Sequence, residues 1–153
     1  MTVEARGIQN VRREIALLKD FVRKGDKWMM TKVGKYALAL MLKRTRAGVD
    51  KDGKPFIPKR SGGTSNLTRS GKLLNDVRVQ SSAKVSRIYV GTQVRGKITN
   101  FNLMIVHARG LKAGRGTGFK MPVRDPMGFP NAEIDKIREF FRRLIKGKLK
   151  RQS

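Results

Sequence analysis

Gly91-Thr92-Gln93-Val94-Arg95-Gly96-Lys97 follows a β-prone segment and matches the first seven positions of a phosphate-binding loop, which makes it the segment closest to known chemistry. The eighth position is Ile98, which has no hydroxyl to hold a magnesium ion, and no helix start is expected to face a phosphate there. A hairpin loop fits these residues better. Asp50-Lys51-Asp52-Gly53 begins like a calcium loop but lacks the later oxygen ligands and the terminal glutamate, so it reads as a turn. His107 is the sole histidine, no cysteine is present, and no carboxylate stands near it in sequence. Neither a metal site nor a nucleophile–base pair can be built on it, and a half-buried structural role fits it better. Ser70, between Arg69 and Gly71, lacks the Gly-x-Ser-x-Gly frame of an activated serine. These residues point to no catalytic group, metal or cofactor, and the chain does not read as an enzyme.

The charge points to binding. Over 153 residues, 36 Lys and Arg stand against 11 Asp and Glu, a net +25 that far exceeds what solubility needs and favours polyanionic or acidic partners. The densest basic run is Arg142, Arg143, Lys146, Lys148, Lys150 and Arg151. Such a run is either a solvated face or a contact to phosphates or acidic patches, whose affinity comes from counterion release. Phe140 and Phe141 fit a core better than base stacking, which argues against sequence-specific or single-strand recognition. With no cysteine there is no disulfide framework. The longest apolar stretch, Tyr36 to Leu42, is far short of the roughly 20 residues a membrane helix needs, and the N-terminus has no signal-like apolar core.

The elements that must position these residues are legible from periodicity. Ile8, Val11, Ile15, Leu18 and Val22 recur at three or four and predict an amphipathic helix to Lys24, with Leu17 and Phe21 widening its stripe. Gly25 breaks it and Asp26 can cap a second helix from Trp28 to Arg46, giving a helical hairpin. Gly48 to Asn66 is rich in glycine, proline and basic residues and reads as a long mobile loop. Within it, Asp52-Gly53 supplies a turn and Pro55 stiffens the approach to Phe56. Thr68 can cap a short helix carrying Leu73 and Leu74, which leads into strands at Val77 to Ser82 and Val85 to Gly91 joined by a hairpin. Phe101 to Ala108 suits a buried strand or a short helix, and periodicity does not choose between them. A second glycine-rich mobile loop spans 110–118, and an extended arm containing Pro122, Arg124, Pro126 and Phe129 follows. The arm's prolines deny it regular pairing and mark Pro122, Arg124 and Phe129 as an assembly contact, with Arg124 expected to meet an acid. Asn131 then caps a closing helix whose buried stripe is Ile134, Ile137, Phe141 and Leu144, and a basic tail spans 147–153. The whole is one α+β domain over 1–153: an N-terminal helical hairpin, a small mostly antiparallel sheet and a C-terminal helix.

The ordered segments Asp52-Gly53-Lys54-Pro55-Phe56, Leu67-Thr68-Arg69-Ser70-Gly71-Lys72-Leu73-Leu74, Val106-His107-Ala108-Arg109-Gly110 and Met121-Pro122-Val123-Arg124-Asp125-Pro126-Met127-Gly128-Phe129 resemble the phage virion morphogenesis family, which includes tail completion proteins and Mu-like G proteins. The likeness runs from about Thr45 to about Ile137. The chain departs from the family's pattern at Ala108-Arg109, where members commonly have Gln-Phe, and at Asp125, which intervenes before Pro126. The resemblance implies a structural virion protein of the neck or tail, acting by assembly in the host bacterial cytoplasm. It implies a homo-oligomeric ring, hexameric by the usual symmetry of tails, that completes the tail or joins it to the head beside other neck or tail proteins. Six copies at +25 each bring about +150, which demands acidic neighbours or virion DNA nearby. The alternative reading, from charge alone, is a sequence-nonspecific nucleic-acid-binding protein acting through its basic surface.

Overall fold

The structure, a computed structural model, describes residues 3–58, 62–63, 67, 72–92, 94–95, 98–113 and 119–150. Helix α1 (Val3–Lys24) ends where the Gly25 amide donates to the Phe21 carbonyl at 2.7 Å and Gly25 takes a φ of 74°. A Cβ on Gly25 would lie 2.3 Å from the Ala83 carbonyl oxygen, so this break is where the helical hairpin rests on the turn of the β-hairpin. Asp26, extended at φ −149°, accepts the Met29 amide at 3.0 Å and caps α2 (Lys27–Arg46), as its position in sequence predicts.

Helix α2 is the centre of the fold. One face, carrying Gly34, Ala37 and Met41, lies on the antiparallel hairpin β1 (Val77–Ser81) and β2 (Ser86–Val90), with Val77 opposite Val90 and Val79 opposite Ile88. The hairpin alternates as a half-buried ladder must: Val77 and Val90 are buried while Arg78 and Gln80 are exposed. Gly34 makes the close crossing possible, because a Cβ there would meet Val79 Cγ1 at 2.6 Å, and Ser86 donates its hydroxyl to the Met30 carbonyl. A different face of α2 packs against α5 (Asn131–Lys150), where Tyr36 stacks on Phe140 with centroids 4.3 Å apart, and Phe21 of α1 meets Phe141 at 5.2 Å. The buried core is Met41, Leu73, Leu74, Val77, Val90 and Met104, to which Leu38, Leu42, Ile88, Leu103, Met127 and Phe129 add.

Leu73 and Leu74 sit on the short helix α3 (Lys72–Asn75), and Thr68, its expected cap, lies outside the described residues. The strands β3 (Val94–Arg95) and β4 (Ile98–Thr99) pair antiparallel. The open choice at 101–108 resolves as helix: α4 (Asn100–Arg109) is capped by Thr99 Oγ1, which accepts the Asn102 amide at 3.1 Å, and is stopped by Gly110 at φ 62°. These two flanking residues decide what apolar periodicity within the segment leaves open. Strands β5 (Lys112–Ala113) and β6 (Phe119–Lys120) form a third antiparallel pair, so the expected small sheet is built from separate two-stranded ladders among the described residues. Residues 121–130 form an extended strap leading to α5. The first intrahelical acceptor of α5 is the Pro130 carbonyl, bonded by the amides of Glu133 and Ile134, so Pro130 holds the cap position expected for Asn131. Ile134, Ile137, Phe141 and Leu144 are half-buried, as predicted for its packed stripe. The architecture is α+β, and no helix among the described residues is long and apolar enough to cross a membrane.

Candidate interaction surfaces

The segment from Gly48 to Pro58, expected to be part of a mobile loop, is tightly tied. Asp50 Oδ1 accepts the amides of Asp52 at 2.9 Å and Lys54 at 2.8 Å, Gly53 supplies a φ of 81°, and Val49 bridges to Pro55. The carboxylate that would begin a calcium loop is therefore occupied by backbone donors. Beyond the turn, the Phe56 amide donates to the Gly48 carbonyl at 2.6 Å and its ring is buried at 4% exposure. Residues 59–61 and 64–66 of that expected loop, and 114–118 of the second one, lie outside the described residues.

The strap locks onto this turn and onto α4. The Met121 amide donates to the Leu111 carbonyl at 3.1 Å and the Arg124 amide to the His107 carbonyl at 2.8 Å, and Gly110 lets the strap approach, since a Cβ there would meet Val123 Cγ2 at 2.8 Å. Arg124 is 6% exposed; its Nε donates to the Ile57 carbonyl at 3.0 Å and its Nη2 to the Pro58 carbonyl at 3.1 Å. This corrects the expectation that Arg124 reaches outward to an acid. Carbonyls left unpaired where prolines interrupt the ladders supply its acceptors from within the chain. Pro122 is half-buried, and Phe129 is half-buried against the core cluster, so neither stands off from the fold; Val123, at 54% exposure, is the strap residue that faces out. The expected separation of arm and core fails because absent ladder pairing does not prevent side-chain burial.

Next along the strap, the Lys51 amide donates to the Asp125 carbonyl at 2.9 Å, and Arg44 Nη2 donates to the Pro126 and Gly128 carbonyls at 2.7 and 2.9 Å. Arg44 Nη1 meets Glu133 Oε2 at 2.5 Å, with side-chain exposures of 7% and 12% for the pair. One buried guanidinium thus ties α2 to both the strap and the first turn of α5. A second buried ionic centre is Asp76, whose Oδ1 pairs with Arg78 at 3.1 Å and whose Oδ2 accepts from Asn100 at 3.1 Å. Sequence reading finds neither centre. Their partners are far apart in the chain or unremarkable polar residues, and the available signal is only an arginine or aspartate on an otherwise apolar face.

Several residues of the chemistry-like motifs have structural roles. Gly91 donates its amide to the Asp76 carbonyl at 2.8 Å, and a Cβ on it would lie 2.1 Å from Asp76 Oδ1, so it is small because the Asp76 carboxyl fills the space. A helix does follow the loop-like motif, contrary to expectation, but it starts after the β3–β4 ladder, and the hydroxyl nearest to the required place, that of Thr99, serves as its cap. Gln93, Gly96, Lys97, Arg69 and Ser70 lie outside the described residues. His107 is half-buried with its Nδ1 lacking a partner among the described residues; burial first, and the Arg124 charge second, push its pKa below the ordinary imidazole value. Among the described residues no group of three or more His, Asp or Glu side chains could hold a metal ion.

The basic run is on α5, which continues as helix through Lys150 and so takes in the first part of the expected tail 147–153. At roughly 100° per residue, Arg142, Arg143, Lys146 and Lys150 share one face, opposite the side that carries Ile137, Phe141 and Leu144. All four are exposed and have no ion-pair partner among the described residues. Lys148 falls on the packed side instead. Its Nζ lies 2.6 Å from Asp26 Oδ2, fastening the end of α5 to the cap of α2 and, with the Met29 amide, holding the Asp26 carboxyl below its usual pKa. Lys148 therefore has an internal partner, and Arg151 lies outside the described residues. Comparison of the chain with protein-family models, with curated proteins and with solved structures gives no match in any of the three.

Proposed function

We propose that this chain is a non-enzymatic structural protein of a phage virion, forming a ring in the neck or tail region that completes the tail or joins head and tail. The observation that carries the reading is the meeting of the resembling segments. The turn at Asp52 to Phe56, Leu73 and Leu74, His107, and the strap from Met121 to Phe129 are scattered over more than half of the sequence. They join in one cluster through Arg124, the Lys51–Asp125 backbone bond and the Met127 and Phe129 packing. Residues that resemble a family in order and also touch one another behave as the framework of a fold, which supports the likeness as more than coincidence of short motifs. The unpaired face of Arg142, Arg143, Lys146 and Lys150 supplies contacts to virion DNA or to acidic neighbouring proteins. Phage particles made without this protein should have unjoined or incomplete tails by electron microscopy and lose infectivity; normal infectious particles would refute the proposal.

The net +25 and the unpaired α5 face favour one other reading, a protein that binds nucleic-acid backbone without reading sequence. Under that reading the isolated chain binds duplexes of unrelated sequence with equal affinity, weakening steeply and uniformly with salt. Tight binding to acidic protein partners with weak DNA binding would leave the first reading in place and exclude the second.

A further inference from the structure

The apolar stripe of α1 is a feature of the surface that the fold leaves unexplained. Val11, Ile15, Leu18 and Val22 are 56, 46, 45 and 73% exposed, although the helix bearing them is amphipathic and needs a packed face to be stable. Only Leu17, Asp20 and Phe21 among its described side chains from Val11 onward are even half-buried; they turn toward the Phe21–Phe141 contact and the groove beside Met29 and Ile145, whose edge Leu18 also lines. The exposed stripe is spaced four, three and four residues apart, which confines it to about 60° of arc. That is a coiled-coil seam, with β-branched Ile15 and Val22 alternating with Val11 and Leu18. A membrane-binding helix presents a broader apolar face, commonly with Trp or Phe in it.

Charge selects the occupant. Arg12 and Lys19 flank the seam on one side and Glu14 borders it on the other, Arg13, Arg23 and Lys24 lie farther round the helix, and Asp20 is neutralised locally by Arg23 at 3.3 Å and Lys24 at 3.0 Å. A second copy would bring another +25 and the same basic flank. We infer that the outward face of α1 is a docking site for an amphipathic helix of a different protein, one with a leucine- or isoleucine-rich stripe flanked by Asp and Glu. The inference is independent of the phage reading, since it rests only on the α1 face.

The test uses the full chain and a labelled synthetic helix with Ile and Leu at the seam positions and Glu beside them, followed by fluorescence anisotropy. A scrambled peptide of identical composition and a version with Lys in place of Glu serve as comparisons. The heptad Glu peptide should bind at least about tenfold more tightly than either, and Ile15→Ser with Leu18→Ser should weaken it by about tenfold while leaving circular dichroism and Tm unchanged. The inference is overturned if the scrambled Glu peptide binds equally well, which would make the attraction one of charge alone. It is also overturned if sedimentation shows a self-associated species abolished by the two serines, or if the seam binds anionic phosphatidylserine vesicles in preference to the heptad peptide.

Discussion

Replacing Arg44 by methionine tests the central claim about how the fold is held. The substitution keeps most of the side-chain volume but removes the cation that satisfies Glu133 Oε2 and donates to the carbonyls of Pro126 and Gly128. Glu133 is left at low exposure without its partner, a loss of about 3–5 kcal/mol for breaking one side of a buried pair. For a chain of 153 residues, at about 2–4 °C of Tm per kcal/mol, the shift is roughly 6–20 °C downward. Glu133→Gln should cost less, about 1–2 kcal/mol, because an amide oxygen still accepts from Arg44 and both carbonyls keep their donor. The double variant Arg44→Met with Glu133→Met removes the orphaned carboxylate, so it should be no less stable than Arg44→Met alone, with a coupling energy of about 1–3 kcal/mol. Urea unfolding of the wild type, these variants and the single variant Glu133→Met, which closes the cycle, measures all of this. A loss below about 1 kcal/mol for Arg44→Met, or strict additivity in the double variant, would show that the pair does not hold the strap and α5 to α2.

Arg124→Ala should destabilise by about 2–3 kcal/mol through loss of the bonds to the Ile57 and Pro58 carbonyls, measured by the same unfolding curves; an unchanged midpoint would return this residue to the surface. Gly91→Ala should cost about 2 kcal/mol or more because the methyl group collides with the Asp76 carboxyl, whereas Gly147→Ala, in open space on α5, should raise stability by about 0.5–1 kcal/mol. His107 is held below the ordinary 6.5 by burial and by Arg124, so the unfolded chain takes up its proton more readily. Its contribution is therefore full above about pH 6.5 and declines as pH falls below that, and His107→Gln should flatten this limb in a Tm against pH series. Asp26 is held below the ordinary 3.8 by Lys148 and the Met29 amide, so its contribution is full above about pH 4 and is lost as pH falls through the lowered value; Lys148→Met should shrink that acid loss.

What the sequence made legible is local. The α1 helix, the Gly25 break with its Asp26 cap, the β1–β2 alternation and the half-buried stripe of α5 all follow from spacings within a single element, and the structure agrees with each, although α1 packs through Leu17 and Phe21 and leaves its periodic stripe exposed. What stayed illegible depends on partners distant in the chain. Arg44 and Glu133 are 89 residues apart, and nothing within either helix names the partner in the other. Arg124 and its acceptors at Ile57 and Pro58 are 67 and 66 apart, and the acceptors are backbone carbonyls, which leave no trace in residue identity. The same limit explains the misplaced arm: proline announces that a segment is extended, but not what its side chains meet.

The cations of this chain divide into those with partners inside it and those left facing outward. Arg44, Arg124 and Lys148 are spent inside the chain, on a carboxylate, on carbonyls and on a helix cap, and removing any of them should be felt first as instability. Arg142, Arg143, Lys146 and Lys150 are fixed on one outward face of a helix whose other side is packed, so their neutralisation should leave the fold intact. Changing those four to Gln should lower the slope of log affinity against log salt for DNA or an acidic partner by up to about four contacts' worth, with Tm unchanged. Lys148→Gln should do the reverse, lowering Tm while leaving the slope nearly unaltered. An unchanged slope in the fourfold variant would assign the α5 face to solvent and shift the search for the binding surface to the remaining basic residues. Equal effects of both variants on stability would mean that the division between structural and free cations is drawn in the wrong place.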